Sequence, residues 1–193
     1  MARDGKPVVL FGLSVGGMLA YQCAALNRDV RGVIASCLLD FRQSEVRRRV
    51  ARFEILGTWG ISILEKFPFL FDSIPFPMGQ VSQMSAMSNH SEFNQLVLRD
   101  RIGGSNWVPG RFLRTLFTEG PGVEPEEFKT PLLLVHPAED QWTPYSLSQS
   151  FFERLAGPKE VRLLDGCGHA PIEEPGIFQL EESVKGFLSK LVS

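Results

Sequence analysis

The chain has 193 residues, 44% of them hydrophobic and 22% charged, with a formal net charge of -2. That length suits one domain with a sizeable core, and the composition is that of a folded globular protein, not a disordered or fibrous one. The near-neutral balance supplies no pull toward nucleic acid or anionic lipid.

Three cysteines, Cys23, Cys37 and Cys167, cannot all pair with one another, and their spacing fits no zinc pattern. They read as free thiols of a reducing, cytoplasmic compartment. No internal repeat and no low-complexity tract is visible. No His/Cys/Asp/Glu cluster has metal-ligand spacing, and no dinucleotide or phosphate-loop pattern occurs, so no metal and no cofactor is expected.

In chain order, Val8 to Phe11 is a short apolar run after a Gly-Lys-Pro turn signal and reads as a buried strand. A glycine-rich turn, Gly12 to Gly17, leads into helical composition from Met18 to Leu26. Val30 to Ala35 reads as a second strand, which completes one parallel crossover unit. From Phe41 onward the texture changes. RQSEVRRRVARFEILGTWGISILEKFPFLF has apolar residues near helical spacing, and Arg47, Arg48 and Arg49 within it read as a solvated face. Pro68, Pro75, Pro77 and Gly79 mark a break. SEFNQLVLRD and GRFLRTLF read as two further short helices. This insert, residues 41–128, is rich in Phe, Met, Leu and Trp, as a helical cap or a small helical subdomain would be.

Parallel-sheet texture then returns. Leu132 to Val135 is a continuous apolar strand, Pro144 to Leu155 a helix with Pro at its start, and Glu160 to Leu164 another strand. Phe178 to Leu191 closes the chain as an amphipathic helix, with Phe178, Val184, Phe187, Leu188 and Leu191 able to share a face. Strands alternating with helices imply an α/β protein with a mainly parallel sheet, its core formed by residues 1–40 and 129–193.

The stretch PVVLFGLSVGGMLAYQCAAL, Pro7 to Leu26, supports two readings. GLSVG is G-x-x-x-G, a packing motif of membrane helices, and the span is nearly long enough for a bilayer. It is also G-x-S-x-G, a sharp strand-to-helix turn that exposes a serine. The turn needs small residues near it, here Gly12 and Gly16 on either side of Ser14. The following helix would offer backbone N–H groups to an oxyanion, with Val15 the nearest. Three glycines, Gln22 and a proline start weigh against a membrane span. The rest of the chain decides. A serine so placed calls for an acid after a later strand and a histidine after the next. Asp140 follows Leu132 to Val135, and His169 follows the strand ending at Leu164. All three fall at the carboxyl ends of parallel strands, where open α/β sheets bind their ligands. Glu139 is the alternative acid and Asp165 a more distant one. His136 ends a strand and reads as structural or site-lining, and His90 as a helix cap or solvent-facing.

The strings VVLFGLSVGG, PLLLVHPAEDQWTP and LLDGCGHAPIEEP resemble the elbow, acid loop and histidine loop of the α/β-hydrolase superfamily, in its lysophospholipase and monoacylglycerol-lipase-like branch. The resemblance covers most of the chain outside the insert. It implies a partial α/β-hydrolase fold with a helical cap insertion. It also implies a carboxylic ester hydrolase acting on an acylglycerol or similar lipid-like ester. Ser14 would be the nucleophile, His169 the general base and then acid, and Asp140 the group that orients the imidazolium. A serine at the elbow argues against the haloalkane dehalogenase and epoxide hydrolase branches.

Such proteins carry further strands before the elbow, which here starts almost at Met1. The portion missing by that comparison would supply a second oxyanion N–H, and losing one such donor costs about 10²–10³ in turnover. Val8 to Phe11 would become a bare strand edge, open to self-association. The competing expectation is therefore a truncated, catalytically impaired remnant that serves as a binding or interaction module.

Overall fold

A computed structural model describes residues 6–192. Strand β1 (Val8–Gly12), helix α1 (Val15–Leu26) and strand β2 (Val30–Ala35) come first. Helices α2 (Ser44–Val50), α3 (Ile61–Lys66) and α4 (Pro68–Phe71) follow, with a π-helical turn at Leu56–Gly60. Then come β3 (Pro75–Pro77), α5 (Met78–Val81), α6 (Ser91–Arg99), β4 (Trp107–Pro109) and α7 (Gly110–Thr118). The chain ends with β5 (Leu132–Pro137), α8 (Tyr145–Arg154), β6 (Lys159–Leu164) and α9 (Gly176–Val192).

Two compact units result. The first takes the chain up to Leu39, Pro121–Asp140 and everything from Pro144 onward. The second is Asp40–Gly120 together with Gln141–Thr143.

The first unit is built on a four-stranded parallel sheet in the order β1-β2-β5-β6. Its central strands are apolar at their core positions, His136 near the end of β5 excepted, because both faces are covered. Successive side chains alternate between faces. Val33, Ala35, Leu132 and Leu134 face Met18, Tyr21 and Ala24 of α1 and Phe151 and Phe152 of α8. Ile34, Leu133 and Val135 face Phe187 of α9, with Leu180, Val184 and Leu191 packed beside it. Tyr21 stacks on Phe128 at 4.2 Å between centroids, and its hydroxyl donates to the Val123 carbonyl at 2.8 Å.

Two expectations are corrected here. β1 is not a buried strand: Val8 to Leu10 are half-buried and Phe11 is 47% exposed. Among the described residues β1 has a strand neighbour on one side only, β2, so its far flank lacks cover. On α9, Phe178 and Leu188 lie outside the buried stripe, which runs through Leu180, Val184, Phe187 and Leu191.

The second unit is more fragmented than the periodicity suggests. The expected helical stretch between Arg42 and Phe71 breaks after Val50, where Ala51 bridges to Ser82, and again at Pro68. Pro68 lacks an N–H and starts a new turn. β3 and β4 form a small antiparallel pair with Phe76 opposite Val108. Arg114 holds Asp72 through two hydrogen bonds of 2.9 and 2.8 Å, and Phe41 meets Phe117 edge-on. No helix among the described residues is long and apolar enough to cross a membrane.

Candidate active site

The carboxyl ends of β1, β2, β5 and β6 lie along one edge of the sheet, and the chemistry collects there. β1 ends at Gly12, and α1 starts at Val15, so two residues must reverse the chain. Ser14 absorbs the strain with φ 54° and ψ -130°, the one non-glycine residue at positive φ among those described. The turn is closed by the Gly16 N–H donating to Leu13 O and the Gly17 N–H donating to Ser14 O, both at 2.8 Å.

The tightness of this turn decides which glycines it requires. A Cβ on Gly12 would sit 2.0 Å from the Gly16 carbonyl oxygen, and one on Gly17 would sit 2.2 Å from the Cys37 carbonyl oxygen. A Cβ on Gly16 would meet nothing within 4 Å. The motif's second glycine is therefore free of steric demand, while Gly17, which the motif does not single out, is not.

His169 stands between the other two residues. Its Nδ1 lies 2.8 Å from Asp140 Oδ2 and its Nε2 lies 2.7 Å from Ser14 Oγ. A carboxylate only accepts, so Nδ1 carries the proton and Nε2 is left to accept from the serine hydroxyl. The His169 and Asp140 side chains are 2% and 1% exposed, so their ion–dipole contact is shielded from water. Ser14 itself is half-buried, open enough to meet a substrate.

Two loops hold this pair. The Ala138 N–H donates to Leu164 O at 2.9 Å and the Glu139 N–H to Cys167 O at 3.0 Å, which ties the acid loop to the histidine loop. Within the latter, the buried Glu173 carboxylate accepts the Gly168 N–H at 3.2 Å. The alternative acids stand elsewhere. Glu139 is exposed, and Asp165 accepts from Gln179. His136 is fully buried, donates from Nδ1 to Pro137 O and packs edge-on against Tyr145, a structural placement. His90 precedes α6, is exposed and makes no side-chain cap bond.

Of the amides around the elbow, Ser14, Gly16 and Gly17 are already committed, the first to Ser36 Oγ at 2.8 Å. Val15 N–H is not among these bonds. Cys37, beside Ser36, is buried, and burial with the nearby Asp140 charge pushes its thiol up to about 12. No group of three or more His, Cys, Asp or Glu residues among those described is placed to hold a metal ion. Ser36, Gly17 and Glu173 escaped the sequence reading. The one sequence signal for Ser36 was a small polar residue directly after an apolar strand, on the sheet edge where the other site residues lie.

The family model for serine aminopeptidase, S33, matches residues 2–176. The chain belongs to this family of α/β-hydrolases. Solved α/β-hydrolases share its fold at low identity. A monoacylglycerol lipase from Paleococcus ferrophilus is 19% identical with a TM-score of 0.68, over 97% of this chain and 69% of that one. A soluble variant of monoglyceride lipase from Saccharomyces cerevisiae, in complex with a substrate analog, is 15% identical with a TM-score of 0.74, over 97% and 63%. Est1E from Butyrivibrio proteoclasticus is 17% identical with a TM-score of 0.57, over 97% and 62%. This α/β-hydrolase chain thus spans between about three-fifths and seven-tenths of the length of these neighbours. No curated protein sequence matches it.

Proposed function

We propose that this chain is a serine hydrolase that cleaves carboxylic esters through an acyl-enzyme. The observation that carries the reading is the relay from Asp140 through His169 to Ser14, at 2.8 and 2.7 Å. A serine hydroxyl is a weak nucleophile until a base takes its proton, and His169 Nε2 is the base within reach.

Ser14 Oγ attacks the ester carbonyl carbon as its proton passes to Nε2. The carbonyl π electrons move to oxygen, and Val15 N–H is the amide at the elbow available to that oxyanion. The imidazolium is stabilised by the Asp140 carboxylate on Nδ1. Nε2 then protonates the departing alkoxide as the C–O bond breaks, leaving Ser14 acylated. A water molecule, deprotonated by the same nitrogen, attacks the acyl carbon and releases the carboxylic acid, and the proton returns to Ser14 Oγ.

A lipid-like ester, such as an acylglycerol with a medium-to-long acyl chain, is the substrate class we favour. The apolar composition of the insert supports it, as do the lipases among the structural neighbours. Steady-state hydrolysis of p-nitrophenyl esters from acetate to decanoate, alongside a monoacylglycerol, tests the reading. The expected result is kcat/KM rising with acyl length and abolished in Ser14→Ala. Hydrolysis confined to acetate would overturn the substrate class, and activity surviving in Ser14→Ala would overturn the mechanism.

A further inference from the structure

We propose that Ser36 is the positioning residue of the nucleophile, a side-chain clamp that holds Ser14 in its strained conformation. The inference rests on the reading of Ser14 as nucleophile.

A residue at φ 54° and ψ -130° is outside the ordinary helical and strand regions, and such a conformation persists only where the surroundings over-determine it. Ser36 supplies that constraint from both sides. It is the residue directly after β2, whose last register pair with β1 is Gly12 with Ala35. Its own N–H donates to Gly12 O at 3.0 Å, which carries the parallel ladder one bond beyond the strands. Its hydroxyl oxygen accepts the Ser14 N–H at 2.8 Å. The two bonds bracket Leu13, so one residue grips the chain before and after the reversal. Ser36 is 2% exposed, so water cannot easily stand in for the hydroxyl.

The clamp has two consequences for chemistry. It fixes the Cα of Ser14, and with it the range over which Oγ can meet His169 Nε2. It also removes the Ser14 N–H from the pool of oxyanion donors. With the Gly16 and Gly17 amides bound to Leu13 O and Ser14 O, the role falls to Val15 N–H. The peptide plane that carries that N–H follows directly from ψ of Ser14, so the clamp orients the nucleophile and the donor together.

Ser148 provides an internal control. Its hydroxyl is also fully buried and also accepts a backbone N–H, that of Leu38 at 3.0 Å, but it does not touch the elbow. Ser36→Ala, Ser36→Thr and Ser148→Ala are compared by fluorophosphonate labelling rate, kcat, KM and melting temperature. Amide hydrogen exchange at Ser14 is followed by NMR. In Ser36→Ala the labelling rate and kcat are expected to fall by about 10- to 100-fold, the scale set by misplacing a reacting group by up to an ångström. KM should stay within about twofold and the Ser14 amide should exchange faster. Ser36→Thr, which keeps the acceptor, should recover most of the rate. Ser148→Ala should lower the melting temperature comparably and leave labelling unchanged. Wild-type labelling in Ser36→Ala, unchanged Ser14 exchange, or an equal loss in Ser148→Ala would each overturn the clamp. Absence of labelling in the wild-type protein would instead overturn Ser14 as nucleophile, and the exchange measurement would still decide whether Ser36 holds its amide.

Discussion

Alanine at the two glycines of the elbow motif should have opposite consequences. At Gly12 the new Cβ would lie 2.0 Å from Gly16 O, 2.3 Å from Gly16 C and 2.7 Å from Gly17 N, all backbone atoms that cannot swing aside. Restoring even the 3.0 Å approach that real Cβ atoms keep requires the first turn of α1 to retreat by about 1 Å. Ser14 lies between the two segments, so Oγ moves relative to His169 Nε2, and a 1 Å displacement of a reacting group costs on the order of 10²-fold in rate. Overpacking adds about 1–3 kcal/mol of destabilisation. At Gly16, which is helical, nothing beyond its chain neighbours and the backbone of its own helix stands within 4 Å of the added methyl. There alanine removes a glycine's conformational cost, worth up to about 1 kcal/mol in favour of the variant. Both variants are assayed by fluorophosphonate labelling rate and by denaturant unfolding. Gly12→Ala with wild-type labelling and stability, or Gly16→Ala with a hundredfold loss, would refute this steric account of the elbow.

The remaining predictions concern the acid and the thiols. Asp140→Asn presents Nδ1 with an amide that can donate as well as accept, so the wrong tautomer of His169 becomes available. Steady-state ester hydrolysis should drop by on the order of 10⁴ with the melting temperature little changed, and a loss below tenfold would remove Asp140 from the relay. Cys37 has its thiol pushed up to about 12 by burial and by Asp140, so it stays protonated at pH 8 as well as enclosed, whereas Cys23 is exposed. Iodoacetamide at pH 8 should therefore alkylate Cys23 in the folded protein and reach Cys37 and Cys167 only after denaturation. A Cys37 adduct on folded protein, seen by peptide mass spectrometry, would contradict the described packing.

The parts of the fold legible in the sequence are those governed by a single dominant pattern. Val33 to Ala35 of β2 and Leu132 to Val135 of β5 are apolar on both faces because α1 and α8 cover one and α9 the other, and those unbroken apolar runs announce that arrangement. The order of Ser14, Asp140 and His169 after three strands was legible for the same reason, since topology alone carries strand ends to one edge. What required the structure depends on tertiary approach. Nothing local tells Gly16 from Gly17, because the carbonyl that excludes a side chain at Gly17 belongs to Cys37, across the crossover. The β3–β4 pair was hidden because Pro75, Pro77 and Pro109 suppress every strand signal, and its partners lie some thirty residues apart. Phe178 was misassigned to the buried stripe of α9 although, at 3.6 residues per turn, it stands on the opposite side of the helix from Phe187, so the misreading lay in the spacing and not in the tertiary packing.

The central claim is that Ser14 is a nucleophile activated by His169. Intact-mass and peptide-mapping spectrometry after exposure to a fluorophosphonate ester tests it most directly. A single adduct should map to Ser14 in folded protein, vanish in Ser14→Ala and form far more slowly in His169→Gln. Folded wild-type protein that acquires no adduct, or an adduct that persists in Ser14→Ala, would contradict it.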